Sequence, residues 1–263
     1  MSILHNIVHL LFGVALAGLV RQAARTLGAQ RPVASLAAAL AAASPLLWDT
    51  ESLGLAELPL ALWAVAAVVV GQERALARQG WPAGLLVGFL PWLKPEGWPL
   101  ALLLAVALGL ARRRRSGAAR WTAGFVTAAV ALAAASAVLS SRVPAAGLSF
   151  FAGDPLGRVA ARLTQTGELL AQLGAELADG AWLGGWLLFA AGMALAAWRR
   201  RGLPLLLGAV VAVQLALYAG IYFATSLDPE QHVASSFFRI SAALLPLALA
   251  AASGATGREP PGE

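Results

Sequence analysis

The sequence predicts an all-α, polytopic transmembrane helix bundle of about nine spans. Three observations carry that prediction. Hydrophobic residues make up 59% of the 263 positions and charged residues only 12%, with a mean hydropathy of +0.74, far from a chain that buries one core and solvates the rest. The basic residues fall between apolar runs instead of forming a patch interleaved with aromatics, so nucleic acid is not an expected partner despite the net charge of +6. Tryptophans sit near the ends of those runs, as interfacial anchors do.

The candidate spans lie at about 3–20, 32–48, 58–71, 81–93, 97–111, 121–141, 181–198, 203–222 and 237–252. The first has no basic region before it, and arginines follow it where a signal peptide would carry a small-residue cleavage site, so it reads as a retained helix. Several of the others fall short of the ~20 residues that cross hydrocarbon unaided. The pair flanking LKPEGWP is the shortest, and Pro91, Pro95, Gly97 and Pro99 interrupt its hydrogen bonding, which suits two tilted or protein-lined helices, or a broken pair around a cavity. Abundant Ala and Gly permit close helix approach. With no internal repeat, residues 1–263 read as a single transmembrane domain.

Charge sets the expected orientation. With the amino terminus outside and the carboxyl terminus inside, 14 of the 19 basic residues fall on the inner side and ten of the 13 acids on the outer side. Trp48, Trp92, Trp98 and Trp182 then mark outer ends, and Trp81, Trp121 and Trp198 inner ends. The long outer loop at about 142–180 contains Leu156, Val159, Leu163, Leu170, Leu173 and Leu177 at helical spacing, with Arg158, Arg162, Glu168 and Glu176 between them. That pattern predicts an amphipathic helix on the outer interface, with packing against the bundle as the alternative. Zero cysteines exclude disulfides, thiolate metal sites and a Cys nucleophile.

The chemistry gathers on the outer side. In SLDPEQHVASSFFR, at 226–239, a helix running from Gln231 places His232, Ser235 or Ser236, and Arg239 on one face at the lipid boundary. An ionisable group there is costly unless it is paired, faces water or binds a charged ligand, although an arginine can also snorkel. Lys94, the chain's only lysine, stands beside Glu96, so it reads either as half of a structural pair or as a point charge for an anionic ligand. Glu57 opens a span just before Pro59, where it could complement the helix dipole or serve a reaction. Asp49 and Glu51 lie in the loop before it, and two acids so placed do not define a metal site without further ligands. His5 and His9 are one turn apart, but with no third ligand they read as a polar helix face.

Three segments in order, SPLLWDTESLGLAELPLALW, AGLLVGFLPWLKPEGWPLAL and YFATSLDPEQHVASSFFRISAALLP, resemble the GT-C superfamily of integral-membrane glycosyltransferases that use polyprenyl-phosphate-linked sugars. Glu57 takes the place of the acid in the family's acid-x-Pro pattern. Lys94, Glu96 and Gly97 match its Lys-x-acid-Gly segment, and Thr225, Asp228, His232, Ser236, Arg239 and Pro246 match its carboxyl-proximal segment. Pro95 and Gln231 depart from the family's usual residues. The opening HNIVHLLFGVALAGLVRQAARTLG resembles the family's second membrane helix, so the usual first span and first outer loop, with the acid assigned as catalytic base, do not appear.

The resemblance implies a bacterial cytoplasmic-membrane enzyme that moves a sugar from a polyprenyl-phosphate donor to a glycan, lipid or protein acceptor. Glu57 would be a supporting carboxylate, with Asp49 and Glu51 as weaker catalytic candidates. Lys94, His232, Ser236 and Arg239 would hold the donor phosphate. No organic cofactor is implied, no metal ligand set is assigned, and a divalent metal is left open. The competing readings are a non-catalytic module of the same fold, binding lipid phosphate or a partner subunit, and a transporter or flippase. Without the usual first loop, the expectation is donor binding with weak transfer.

Overall fold

The computed structural model describes residues 3–44, 56–76, 78–113, 115–142 and 154–257, and among these there is no strand. The chain runs through α1 (Ile3–Thr26), α2 (Arg31–Ala43), α3 (Glu57–Gln72), α4 (Trp81–Leu93), α5 (Gly97–Arg112), α6 (Ala118–Arg142), α7 (Pro155–Arg162), α8 (Thr166–Ala178), α9 (Gly185–Trp198), α10 (Gly202–Ala224) and α11 (Pro229–Ala255). Each of the nine apolar runs becomes a helix, although residues 45–48 of the second lie outside the described residues. Among the described residues, four helical segments are long and apolar enough to cross a membrane: Ile7–Thr26, Ala118–Arg142, Gly202–Ala224 and Ser236–Ala255. The remaining five, α2, α3, α4, α5 and α9, are apolar but shorter.

At the centre stands α11, which packs against α1, α2, α3, α8, α9 and α10. Its carboxyl half is small and apolar all round, with Ala242, Ala248, Ala250, Ala251 and Ala255 buried, as a helix enclosed on every side requires. By contrast, Val126, Val130 and Val138 of α6 are exposed, so that helix presents apolar surface outward. α6 is held chiefly by α4, and glycine permits the approach. A Cβ on Gly84 would lie 2.3 Å from the Phe125 carbonyl oxygen, closer than any side chain allows.

Proline and polar side chains set several boundaries. Pro155 and Pro229 occupy the first turns of α7 and α11, where a missing N–H costs nothing, and Asp154 and Asp228 cap those helices by accepting from the Gly157 and Gln231 amides, each at 2.9 Å. Between α4 and α5, Pro95 lies in a tight turn closed by the Gly97 amide donating to the Lys94 carbonyl at 2.9 Å.

Charges separate along the bundle axis. At one end Arg199 donates to the Thr256 carbonyl at 3.2 Å, Arg201 donates to Gly257, and Arg112 donates to the Gly71 carbonyl at 3.3 Å beneath the Trp121 ring. Glu57, Lys94, Glu96 and Asp228 open or precede helices at the opposite end. Two of the proposed aromatic anchors belong to the interior instead: Trp121 stacks on Phe125 at 4.9 Å and is fully buried, and Trp182 packs on Phe238 at 4.6 Å. An indole at a helix end is equally suited to filling the space where helices converge.

The single amphipathic helix expected after 142 is two helices, α7 and α8, joined by a 3₁₀ turn at Leu163–Gln165. Its apolar stripe divides. Leu169 and Leu173 are buried against the bundle, while Leu156, Leu163 and Leu170 are exposed.

Candidate functional site

Glu57, the first residue of α3, is buried to 1% exposure, and its carboxylate lies among residues distant in sequence. Its Oε1 accepts from Nζ of Lys94, at the carboxyl end of α4, and lies 4.0 Å from Nε of Arg239 on α11. One carboxylate oxygen thus faces two cations. The other, Oε2, is buried without a hydrogen-bond partner among the described residues, as is Nε of Arg239. A buried carboxylate oxygen left without a donor is expensive, and the site can accept one more hydrogen bond than the described side chains supply.

The second side of the site is α10. Gln214, Tyr218 and Tyr222 recur every fourth residue on a helix that is otherwise almost wholly apolar. Gln214 donates to the Glu96 backbone carbonyl at 3.2 Å, tying α10 to the turn that carries Lys94, while its Oε1 is buried without a partner among the described residues. Tyr218 lies beside Gln214, within electrostatic reach of both Glu96 and Glu57. Tyr222 shares a 2.9 Å hydrogen bond with Ser236 and meets His232 edge to face at 5.0 Å. Ser236 in turn donates to the His232 carbonyl at 2.7 Å. Burial lowers the His232 pKa below its ordinary value, so the imidazole is neutral near pH 7 and the positive charge here belongs to Lys94 and Arg239.

Above this cluster α7 holds the corner between α10 and α11. Arg162 donates to the carbonyls of Tyr222 at 2.9 Å, Phe223 at 3.3 Å, Thr225 at 2.8 Å and Leu227 at 3.0 Å, and Arg158 donates to that of Ala224 at 3.0 Å. These are carbonyls at and beyond a helix carboxyl terminus, which lack intrahelical partners and carry the negative end of the helix dipole. Gln172 of α8 adds a 3.1 Å bond to the Glu230 carbonyl.

The one-face grouping of His232, Ser236 and Arg239 is therefore present, on a helix that starts at Pro229, and Glu57 and Lys94 join it. Lys94 pairs with Glu57, 37 positions away, and not with its sequence neighbour Glu96. Asp49 and Glu51 lie outside the described residues. Among the described residues, no three His, Cys, Asp or Glu side chains gather as a metal-ligand set. Sequence reasoning missed Gln214, Tyr218, Tyr222 and the two arginines of α7. The i, i+4, i+8 spacing of the α10 trio was a readable signal, since the chain's two tyrosines share that face.

No family model, curated protein or solved structure matches the chain.

Proposed function

We propose that the chain is a membrane glycosyltransferase of GT-C type, moving a sugar from a polyprenyl-phosphate donor to an extracytoplasmic acceptor. The observation that carries this reading is the buried Glu57, held by Lys94 and faced by Arg239, with one oxygen still open. Transfer from a lipid phosphate needs cations for the leaving phosphate and a carboxylate within reach of the acceptor hydroxyl. Lys94 supplies a point charge and Arg239 a planar fork suited to phosphate oxygens. Neutral His232 stands beside them, while the Ser236 hydroxyl, engaged by the His232 carbonyl and by Tyr222, fixes the place of that imidazole.

Glu57 is already committed to a cation, which suits a supporting carboxylate better than a free general base. That favours one second reading, a module of this fold that binds lipid phosphate without transferring sugar. In the full reading, the nine apolar helices all lie in the bacterial cytoplasmic membrane with α7 and α8 on its outer surface, and the exposed Leu156 and Leu163 meet the interface.

Because the chain has no native cysteine, single cysteines report the orientation cleanly. In intact cells, positions 52 and 170 are expected to react with an impermeant thiol reagent and position 116 only after permeabilisation. Labelling of 116 and 170 from the same side would contradict the arrangement. Turnover separates the two functional readings. Release of polyprenyl phosphate from a labelled donor, on addition of envelope acceptor, identifies the enzyme, whereas donor retained intact identifies the binding module.

A further inference from the structure

At the arginine-rich end, far from the Glu57 cluster, α2 and α9 flank α11 without closing over it. They leave a slot of about 210 Å³. Its walls are Leu36 and Leu40 on one side and Leu188 and Leu195 on the other, its floor is Ala252 and Ser253, and Thr256 closes its end. Leu36 and Leu188 are exposed, so the slot opens on the outer surface of the bundle. Arg199 donates to the Thr256 carbonyl, and its neighbour Arg200 and Arg31 at the start of α2 are both exposed.

We propose that this slot holds part of one acyl chain of an anionic phospholipid, with the headgroup against Arg31, Arg199 and Arg200. The inference rests on the bundle lying in a bilayer and not on the glycosyltransferase reading. The lining is mainly apolar and ends at Thr256, whose carbonyl accepts from the Arg199 guanidinium, so a cation stands at one end of the slot, and basic groups at helix ends on one side of a membrane suit acidic headgroups. Arg200 has φ +55°, the left-handed turn that closes α9, with the Arg201 amide donating to the Ala196 carbonyl at 2.8 Å and the Arg200 amide to the Ala197 carbonyl at 3.1 Å, a position that glycine fills without strain.

The test uses the full chain, equilibrated with mixed phosphatidylcholine and phosphatidylglycerol vesicles, extracted into detergent and weighed intact by native mass spectrometry. Wild type is expected to retain phosphatidylglycerol in preference to phosphatidylcholine. Arg200→Gly relieves the backbone strain while removing the charge, so it should fold at least as well yet retain the anionic lipid about fivefold less, as should Arg31→Gln. Ala191→Phe, which fills the slot from an exposed position, should abolish the preference. Arg120→Gln, an exposed arginine on α6, should change nothing. The proposal is overturned if wild type shows no preference, if Ala191→Phe retains lipid as wild type does, or if Arg120→Gln matches Arg200→Gly, since diffuse surface attraction would then suffice.

Discussion

Glu57→Ala is expected to destabilise the bundle by about 3–5 kcal/mol, the usual cost of breaking a buried ion pair by removing one partner. The loss should fall at the lower part of that range because the two cations left behind are partly exposed, Lys94 at 21% and Arg239 at 38% of the side chain. Without it, Lys94 and Arg239 face each other across a site from which the carboxylate was almost wholly excluded from water. Lys94→Met should cost less, since Arg239 remains 4.0 Å from the same oxygen and can close on it. The double variant Glu57→Leu, Lys94→Met removes both members of the ion pair and should recover most of the stability lost by Glu57→Ala. Thermal unfolding in detergent of Glu57→Leu, Lys94→Met and the double measures the coupling. Strict additivity would mean that the pair is not coupled and that Glu57 and Lys94 act independently.

Arg162→Ala should rank close behind. One guanidinium serves four backbone carbonyls at the α10 terminus, and hydrogen bonds to a charged donor each contribute about 1.5–3 kcal/mol when considered singly. They share one donor group and are not additive, so a total near 3–5 kcal/mol is the reasonable expectation. The effect should be local. Amide hydrogen exchange at 222–232 should accelerate, while the buried carboxyl half of α11 keeps its protection, and Arg162→Lys should recover only part of the loss because an ammonium cannot span four carbonyls. Uniform acceleration through α10 and α11 would show instead that Arg162 supports the whole bundle and not the corner beside the site.

Hydropathy was enough to find the apolar helices, because each is a run whose composition alone distinguishes it from the loops. It could not tell lipid-facing from enclosed helices. α6 and the carboxyl half of α11 read alike in sequence, yet one is exposed and the other central, a difference set by neighbours far along the chain. His232, Ser236 and Arg239 were legible as a group because helical periodicity alone brings them to one face. The Lys94–Glu57 pair was not, because it depends on how the start of α3 meets the end of α4, and the sequence offered a nearer acid in Glu96. Arg158 and Arg162 looked like the polar face of an interfacial helix, since no local pattern announces a side chain that caps another helix. The α10 trio was readable in principle, but attention to charged residues passed over an amide and two phenols in an apolar helix.

The central claim is that the cluster of Glu57, Lys94 and Arg239 receives a lipid phosphate, and a binding comparison tests it most directly. The reconstituted chain would be titrated with a polyprenyl-phosphate sugar and with the matching polyprenol, which shares the hydrocarbon and lacks the phosphate. Tight binding of the first and weak binding of the second are expected. Arg239→Lys should weaken the first by losing fork geometry, and Arg239→Ala should weaken it further by losing the charge as well. Equal affinity for the two lipids, or wild-type donor binding by well-folded Arg239→Ala protein, would contradict the claim and return Arg239 to a structural role.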